Sequence, residues 1–385
     1  DIITLLGGAG AGGEDDVLVV SATATATALD IIKFEATVGS SNSGTAILGA
    51  VSTGGYIDMT DASGVYEIRS GDGADTLIGG GSNDTFKILG DGKADSDTIN
   101  GGDGSQDTLE LWTGTHTLTD DSKISNLEII NAHASGSTLV LTNQVEGFTI
   151  NGGDGTDDLT GGEGNDTLIG GAGDDVFVVD GGEDVIDGGA GRDALDFSAS
   201  ASGVQVDLST GTLVDGEGLG DQFSSIEIVT GSDATDTLVG SEDADTLLGG
   251  GGDDTLIGGG GDDVVDGGLG DDVLELDGSV GVTAEGGGGT DTVQLVGETN
   301  DASLSGVETV FGSAGDDDLT ITTNDIQSVS GGEGFDAVTL TDADGNTVEL
   351  DDVEVITGSV GADTLTVTDD TSATLGGGLG DDTLL

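Results

Sequence analysis

Three observations predict an all-β chain wound as a parallel β-solenoid, in which glycine-rich, acidic turns alternate with coils that lack them. Residues 231–275 divide without remainder into five nine-residue units, GSDATDTLV, GSEDADTLL, GGGGDDTLI, GGGGDDVVD and GGLGDDVLE. In each unit position six is aspartate (Asp236, Asp245, Asp254, Asp263, Asp272) and position eight is a large aliphatic residue (Leu238, Leu247, Leu256, Val265, Leu274). The 385 residues include 76 glycines and no proline, with 76 acidic against 6 basic side chains and a formal net charge of −70.

A fixed short period is the mark of a solenoid, because a unit this small buries its apolar residue only by stacking on its neighbours. The glycine-rich half suits a sharp turn through positive backbone angles. The triplet that follows points one side chain inward per short strand. Aspartate closes the turn.

Composition narrows the partners. Such a charge drives an unliganded chain apart, and it excludes nucleic acid, whose phosphates need lysine and arginine. Cations are the expected partners. The chain has no cysteine, which removes disulfides and thiolate metal sites. No run of eighteen apolar residues occurs, so no membrane insertion is expected.

Taken in order, residues 1–69 form an N-terminal solenoid stretch or small β module. It opens on a degenerate repeat, GGAGAGGEDDVLVV, with an Asp15-Asp16 pair, and continues through an alternating Ala/Thr run at 22–28. Period two argues for strand there. Residues 70–151 carry two nonapeptides, SGDGADTLI and GGGSNDTFK, with Asp75 and Asp84 at position six. A third unit from Gly101 holds one extra residue, which moves its aspartate to Asp107 and weakens it as a ligand. Asp91, Asp95 and Asp97 read as a solvated loop rather than a site. Trp112, His116 and His133 lie in the spacer that follows and read as packing or surface residues, because zinc would need further nitrogen or sulfur ligands.

Residues 152–230 hold a second block, with Asp157, Asp166, Asp175, Asp184 and Asp193 at position six and Leu159, Leu168, Phe177, Ile186 and Leu195 at position eight. Its fourth unit, VDGGEDVID, lacks the leading glycines yet keeps phase, so coil length is physically enforced while the site at Asp184 is weakened. In the spacer at 197–230, Val204, Val206 and Leu208 alternate as one strand face and Ile226 and Ile228 as another. The block at 231–285 follows, with the five units at 231–275. From 286 to 385, units starting at Gly286, Gly312, Gly331, Gly358 and Gly377 mark a super-repeat of about 45 residues, close to five nonapeptides; their aspartates are Asp291, Asp317, Asp336, Asp363 and Asp382. Matching strands, Val307-Glu308-Thr309-Val310 and Val353-Glu354-Val355-Ile356, close its longer gaps.

The pattern G-G-x-G-x-D-x-U-x resembles the calcium-binding nonapeptides of the RTX (repeats-in-toxin) proteins, closest in style to the surface-layer and adhesin members of Gram-negative bacteria. The resemblance implies a β-roll with two nonapeptides per coil, multiple Ca2+ ions held by position-six carboxylates and loop carbonyls, and type I secretion to the cell surface or beyond. Calcium suits such a site, since it takes six to eight oxygens and tolerates mixed carboxylate and carbonyl shells. An isolated loop aspartate equally caps a turn by hydrogen-bonding the backbone. Ten in-register copies in two blocks, beside the charge of −70, decide for calcium. The strongest candidates are Asp254, Asp263 and Asp272, then Asp157, Asp166 and Asp175.

No G-x-S-x-G, no H-E-x-x-H and no cysteine are present, so catalysis is not expected. The expected function is structural: a secreted, calcium-folded surface layer, extracellular filament or adhesin stalk. The alternative is the calcium-binding repeat region of a type I secreted enzyme or toxin. Both ends read as cut through a repeat, which predicts head-to-tail self-association.

Overall fold

A computed structural model describes residues 46–385 apart from 51–53, 72, 89–93, 113, 134–135, 215–219, 278–280 and 369–372, and before residue 46 only the strands Thr4–Leu5, Leu18–Val19, Ala26–Ile31 and Lys33–Glu35. The degenerate repeat at 7–16, with Asp15 and Asp16, and Asp91 lie outside the described residues. The described part is a parallel β-solenoid. It divides into two compact units, one of residues 1–193 with 221–225, the other of residues 194–220 with 226–385.

In the first unit Ala26–Ile31, Ala46–Ala50, Tyr66–Arg69 and Thr85–Ile88 pair successively in parallel. The same strip runs on through Thr108–Leu111, Ile129–Ala132, Thr149–Asp154, Thr167–Ala172 and Val185–Ala190. Shorter strands such as Thr76–Ile78 and Thr98–Asn100, and further along Asp158–Thr160 and Val176–Val178, make the facing strips. The strands Ala26–Ile31, Lys33–Glu35 and Ala46–Ala50 thus enter parallel ladders with the coils that follow them. The second unit repeats the arrangement. Thr237–Val239, Thr255–Ile257, Val273–Asp277 and Thr292–Val296 stack on one side, and Thr246–Gly251, Val264–Leu269 and Val282–Gly288 on the other. One antiparallel hairpin, Gln205–Asp207 with Thr212–Val214, interrupts it.

Most of the described three-residue strands read outward-inward-outward, as in Thr76–Ile78, Thr237–Val239 and Thr255–Ile257, so each contributes one apolar side chain to a continuous column. Leu238, Leu256, Leu274, Val293 and Val310 are register partners in turn and are at most 1 % exposed. The position-eight residues of both nonapeptide blocks are all buried. Truncating one removes contacts with the coil on either side, so Leu256→Ala should lower stability by about 2–5 kcal/mol in saturating calcium, measured by urea unfolding. A loss below about 0.5 kcal/mol, the range of ordinary surface changes, would contradict this packing.

The turns need glycine for two separate reasons. Gly171 and Gly173 adopt φ of 114° and 130°, which side chains disfavour. A methyl group on either would also strike the backbone carbonyl of Gly153 or Gly155 one coil earlier. Glycine therefore sets both the curvature of the corner and the spacing between coils.

Alternation fails at one sequence-predicted face. Ile226 is buried, but the inward residue of the strand Ile228–Thr230 is Val229, not Ile228. Ser225 takes a left-handed φ of 57° just before Ile226, so Ile226 belongs to a corner and the strand phase restarts after it.

Candidate metal centre

The position-six aspartates form hydrogen-bonded ladders along the corners. Each backbone N–H donates to the carboxylate Oδ1 of the aspartate one coil on. Asp157 donates to Asp175 (2.8 Å) and Asp175 to Asp193 (2.8 Å). On the other corner Asp166 donates to Asp184 (2.8 Å), which donates to Asp221 (2.8 Å). In the second unit the chain runs Asp236, Asp254, Asp272, Asp291, and beside it Asp245 to Asp263, Asp317 to Asp336 and Asp363 to Asp382. In the first unit Asp75 donates to Asp97 and Asp84 to Asp107.

All the sequence-predicted aspartates occupy these rungs and are buried, except Asp382, which is partly exposed. Asp97 also corrects its expected place in a solvated loop. It is fully buried and accepts the Asp75 N–H, whereas Asp95 is exposed and accepts from Thr117. The inserted residue before Asp107 bulges the loop without displacing the carboxylate from the ladder. His116 is buried in the strand Gly114–Thr117 opposite Leu139, and His133 stacks on Trp112 with ring centroids 4.4 Å apart.

The nonapeptide pattern misses Asp97 and Asp221, and it misses what closes the ladders. Glu128, Glu308 and Glu354 accept the N–H groups of Asp107, Asp291 and Asp336 through their carboxylates, at 2.7–2.8 Å. A shared signal exists: the rung residue stands two before an inward apolar side chain, as in Asp97-Thr98-Ile99, Asp221-Gln222-Phe223 and Glu308-Thr309-Val310. Position five supplies a second, outer ladder. Asp174 accepts from Arg192, Asp253 from Asp271, and Asp271 from Thr290.

The carboxylates are poorly neutralised. Oδ2 of Asp107, Asp157, Asp166, Asp175, Asp254, Asp272, Asp291 and Asp336 is buried without a hydrogen-bond partner. Burial pushes Asp166, Asp175, Asp291 and Asp336 up to about 6 and Asp254 to about 7, with neighbouring carboxylates adding to the rise at Asp175, Asp254, Asp291 and Asp336. Asp184 reaches about 8, because burial is joined by the charges of Asp166, Asp221 and Asp180. Asp180 itself, in the unit without leading glycines, rises to about 7 through burial and then the charges of Asp166 and Glu163.

Those oxygens do not stand alone. A methyl group on Gly152 would lie 2.8 Å from Asp157 Oδ2 and 2.6 Å from the Gly170 carbonyl oxygen; one on Gly267 would lie 2.5 Å from Asp272 Oδ2 and 2.7 Å from the Gly286 carbonyl oxygen. Glycine thus leaves a small space where a carboxylate oxygen and the carbonyl of the next coil converge. Among the described residues no three His, Cys, Asp or Glu side chains come together to hold an ion by themselves. An ion here would take most of its oxygens from the backbone. That donor set, hard and carbonyl-rich, fits calcium and suits zinc poorly.

The family model of the RTX calcium-binding nonapeptide repeat (4 copies) matches residues 67–87, 149–168, 169–199, 230–264 and 239–274. The chain carries RTX repeats in these segments. Each matched segment contributes aspartates to the ladders, and RTX nonapeptides are calcium-binding motifs. No curated protein matches the chain. When bound, calcium supplies positive charge to the carboxylates. The residues fitted to hold it in the RTX corners are Asp157, Asp166, Asp175, Asp254 and Asp272, with the carbonyls beside their glycines.

Proposed function

We propose that the chain is a structural element that folds on binding calcium outside the cell, as part of a surface layer, an extracellular filament or an adhesin stalk. One observation carries this reading. Buried carboxylates such as Asp157 and Asp175, or Asp254 and Asp272, stack on successive coils with an oxygen unpartnered, an arrangement that self-repulsion opposes until a cation neutralises it. Binding energy available only to the ordered corners is folding energy. Extracellular calcium modules bind at about 10⁻⁴–10⁻³ M, so such a chain stays loose where calcium is scarce and orders where it is abundant.

Far-UV circular dichroism tests the switch: the β signal should be weak in chelator and rise on adding calcium in the millimolar range, while an unchanged spectrum would overturn it. Intact mass and electron microscopy of the native protein then separate an assembling subunit from a repeat region carried by an exported enzyme or toxin. A mass near 37.5 kDa with calcium-dependent filaments or sheets supports the first. A much larger chain bearing a catalytic domain supports the second.

A further inference from the structure

Among the corners of the second unit two kinds are distinguished by the second loop position; in the first unit the N–H of Gly71 and of Gly80 already reaches Oδ2 of Asp75 and Asp84 at 2.7 Å, with no hydroxyl beside it. In most nonapeptides that position is glycine. In four it is serine: Ser232, Ser241, Ser313 and Ser359. Each serine N–H donates to the Oδ2 of the aspartate four residues on, at 2.6–2.8 Å. Each serine hydroxyl also lies 2.9–3.2 Å from a carboxylate oxygen of the same aspartate. Its oxygen accepts the N–H two residues along, from Ala234, Asp243, Gly315 or Gly361, at 3.0–3.1 Å. With its lone pair so engaged, the hydroxyl has its proton to give, and the carboxylate is the acceptor beside it.

Two of these corners carry a second neutral donor. On the rung before Asp363, where the Gly-Gly ladders place another aspartate, stands Asn346, whose backbone N–H (2.7 Å) and side-chain amide (3.1 Å) both donate to Asp363 Oδ1. On the rung before Asp317 stands Asn300, whose amide lies 2.6 Å from Asp317 Oδ1. Asp317 and Asp363 therefore have donors on both oxygens. Asp254, Asp272, Asp291 and Asp336, in Gly-Gly corners of the same unit, have a donor on Oδ1 and none on Oδ2.

Accordingly, we propose that serine at this position takes the place of the ion: Ser313 with Asn300, and Ser359 with Asn346, close their corners without calcium. The proposal rests on the calcium reading of the Gly-Gly corners. It assigns the ion to those corners alone, and it makes the coils around residues 300–317 and 346–363 a preformed stretch on which calcium-dependent neighbours order. Serine and asparagine are neutral, so these coils also dilute the carboxylate repulsion that keeps the others open. The serines act as positioning residues, through the carboxylate they hold.

Hydrogen exchange of the full chain, followed by mass spectrometry in chelator and in millimolar calcium chloride, tests this. In chelator, peptides covering 300–317 and 346–363 should exchange about tenfold or more slowly than those covering 157–175 and 254–272, and calcium should slow mainly the latter. Ser359→Gly should speed exchange around Asp363 in chelator and make it calcium-responsive, while Ser359→Thr, which keeps the hydroxyl, should not. The proposal fails if serine and glycine corners exchange alike in chelator, if both gain equal protection from calcium, or if Ser359→Gly leaves the pattern unchanged. If no peptide responds to calcium, the calcium reading itself fails. If every corner responds equally, only the two-class assignment does.

Discussion

Acidifying the calcium-free chain from pH 8 to pH 5 should increase its β-structure, and the same acidification at low-millimolar calcium should release the ion. The sign follows from the ladder. Burial raises Asp166, Asp175, Asp263, Asp291 and Asp336 to about 6, Asp180 and Asp254 to about 7 and Asp184 to about 8, against 3.8 for an unperturbed aspartate. Without calcium the folded chain therefore binds more protons than the unfolded one through this range, and its stability rises as pH falls. The contribution is complete below 3.8 and is lost as pH rises through 6 to 8. With calcium the proton competes with the ion for the same oxygens, so the metal-dependent part of stability falls over the same window. Asp363 runs the other way. Burial raises it, but the donors from Asn346 and Ser359 outweigh that and hold it below the usual value. Circular dichroism on protein freed of calcium by dialysis, so that no chelator titrates, reads both curves. A calcium-free signal that falls steadily from pH 8 to pH 5 would show that the corner carboxylates are not neutralised on folding.

The repeating half of the fold was legible because one physical requirement writes both glycine and aspartate. A corner tight enough to stack needs residues without a β-carbon, and the following triplet fixes one inward side chain. Leu256 and Asp254 could be placed from spacing alone. Asp97, Asp221 and the ladder-ending glutamates could not, because the residues before them do not keep the GG-x-G register while the rung is kept. Only the D-x-U or E-x-U triplet remains there, and it is too short to stand out without the stack. The stretches at 307–310 and 353–356 were visible as a matching pair, which the structure places as the strands Thr309–Phe311 and Val355–Thr357, but the spacing gave their glutamates no place in the ladder. In the structure Glu308 and Glu354 fold back to accept the last ladder N–H. The serine corners illustrate a different limit. Glycine and serine look interchangeable in a small-residue loop, and only the hydroxyl's reach to Asp317 or Asp363 separates them.

Replacing one carboxylate oxygen should separate the structural and metal roles of a rung. In Asp254→Asn, Oδ1 can still accept the Asp236 N–H, which lies at 2.7 Å, while an amide NH2 replaces the buried, unpartnered Oδ2. The Gly267 carbonyl converges on that same space, as a methyl group on Gly249 would touch both. The amide thus gains an acceptor where the carboxylate had a repulsive contact, and it removes a charge that Asp236 and Asp272 oppose. Calcium-free, the variant should be more stable by about 1–3 kcal/mol, the cost of an unsatisfied buried polar group. In calcium it should bind fewer ions and lose part of the stabilisation that the ion gives the wild type. Asp254→Ala removes the acceptor as well and strands a buried N–H, so it should be destabilised in both conditions. Asp363→Asn is the informative contrast, because its NH2 would face the donors of Ser359 or Asn346 and so weaken the corner with or without calcium. Thermal melts in chelator together with calorimetric calcium titrations measure all three. Equal destabilisation of Asp254→Asn and Asp363→Asn in chelator would mean that Oδ2 of Asp254 has a donor in solution and is not the oxygen that awaits an ion.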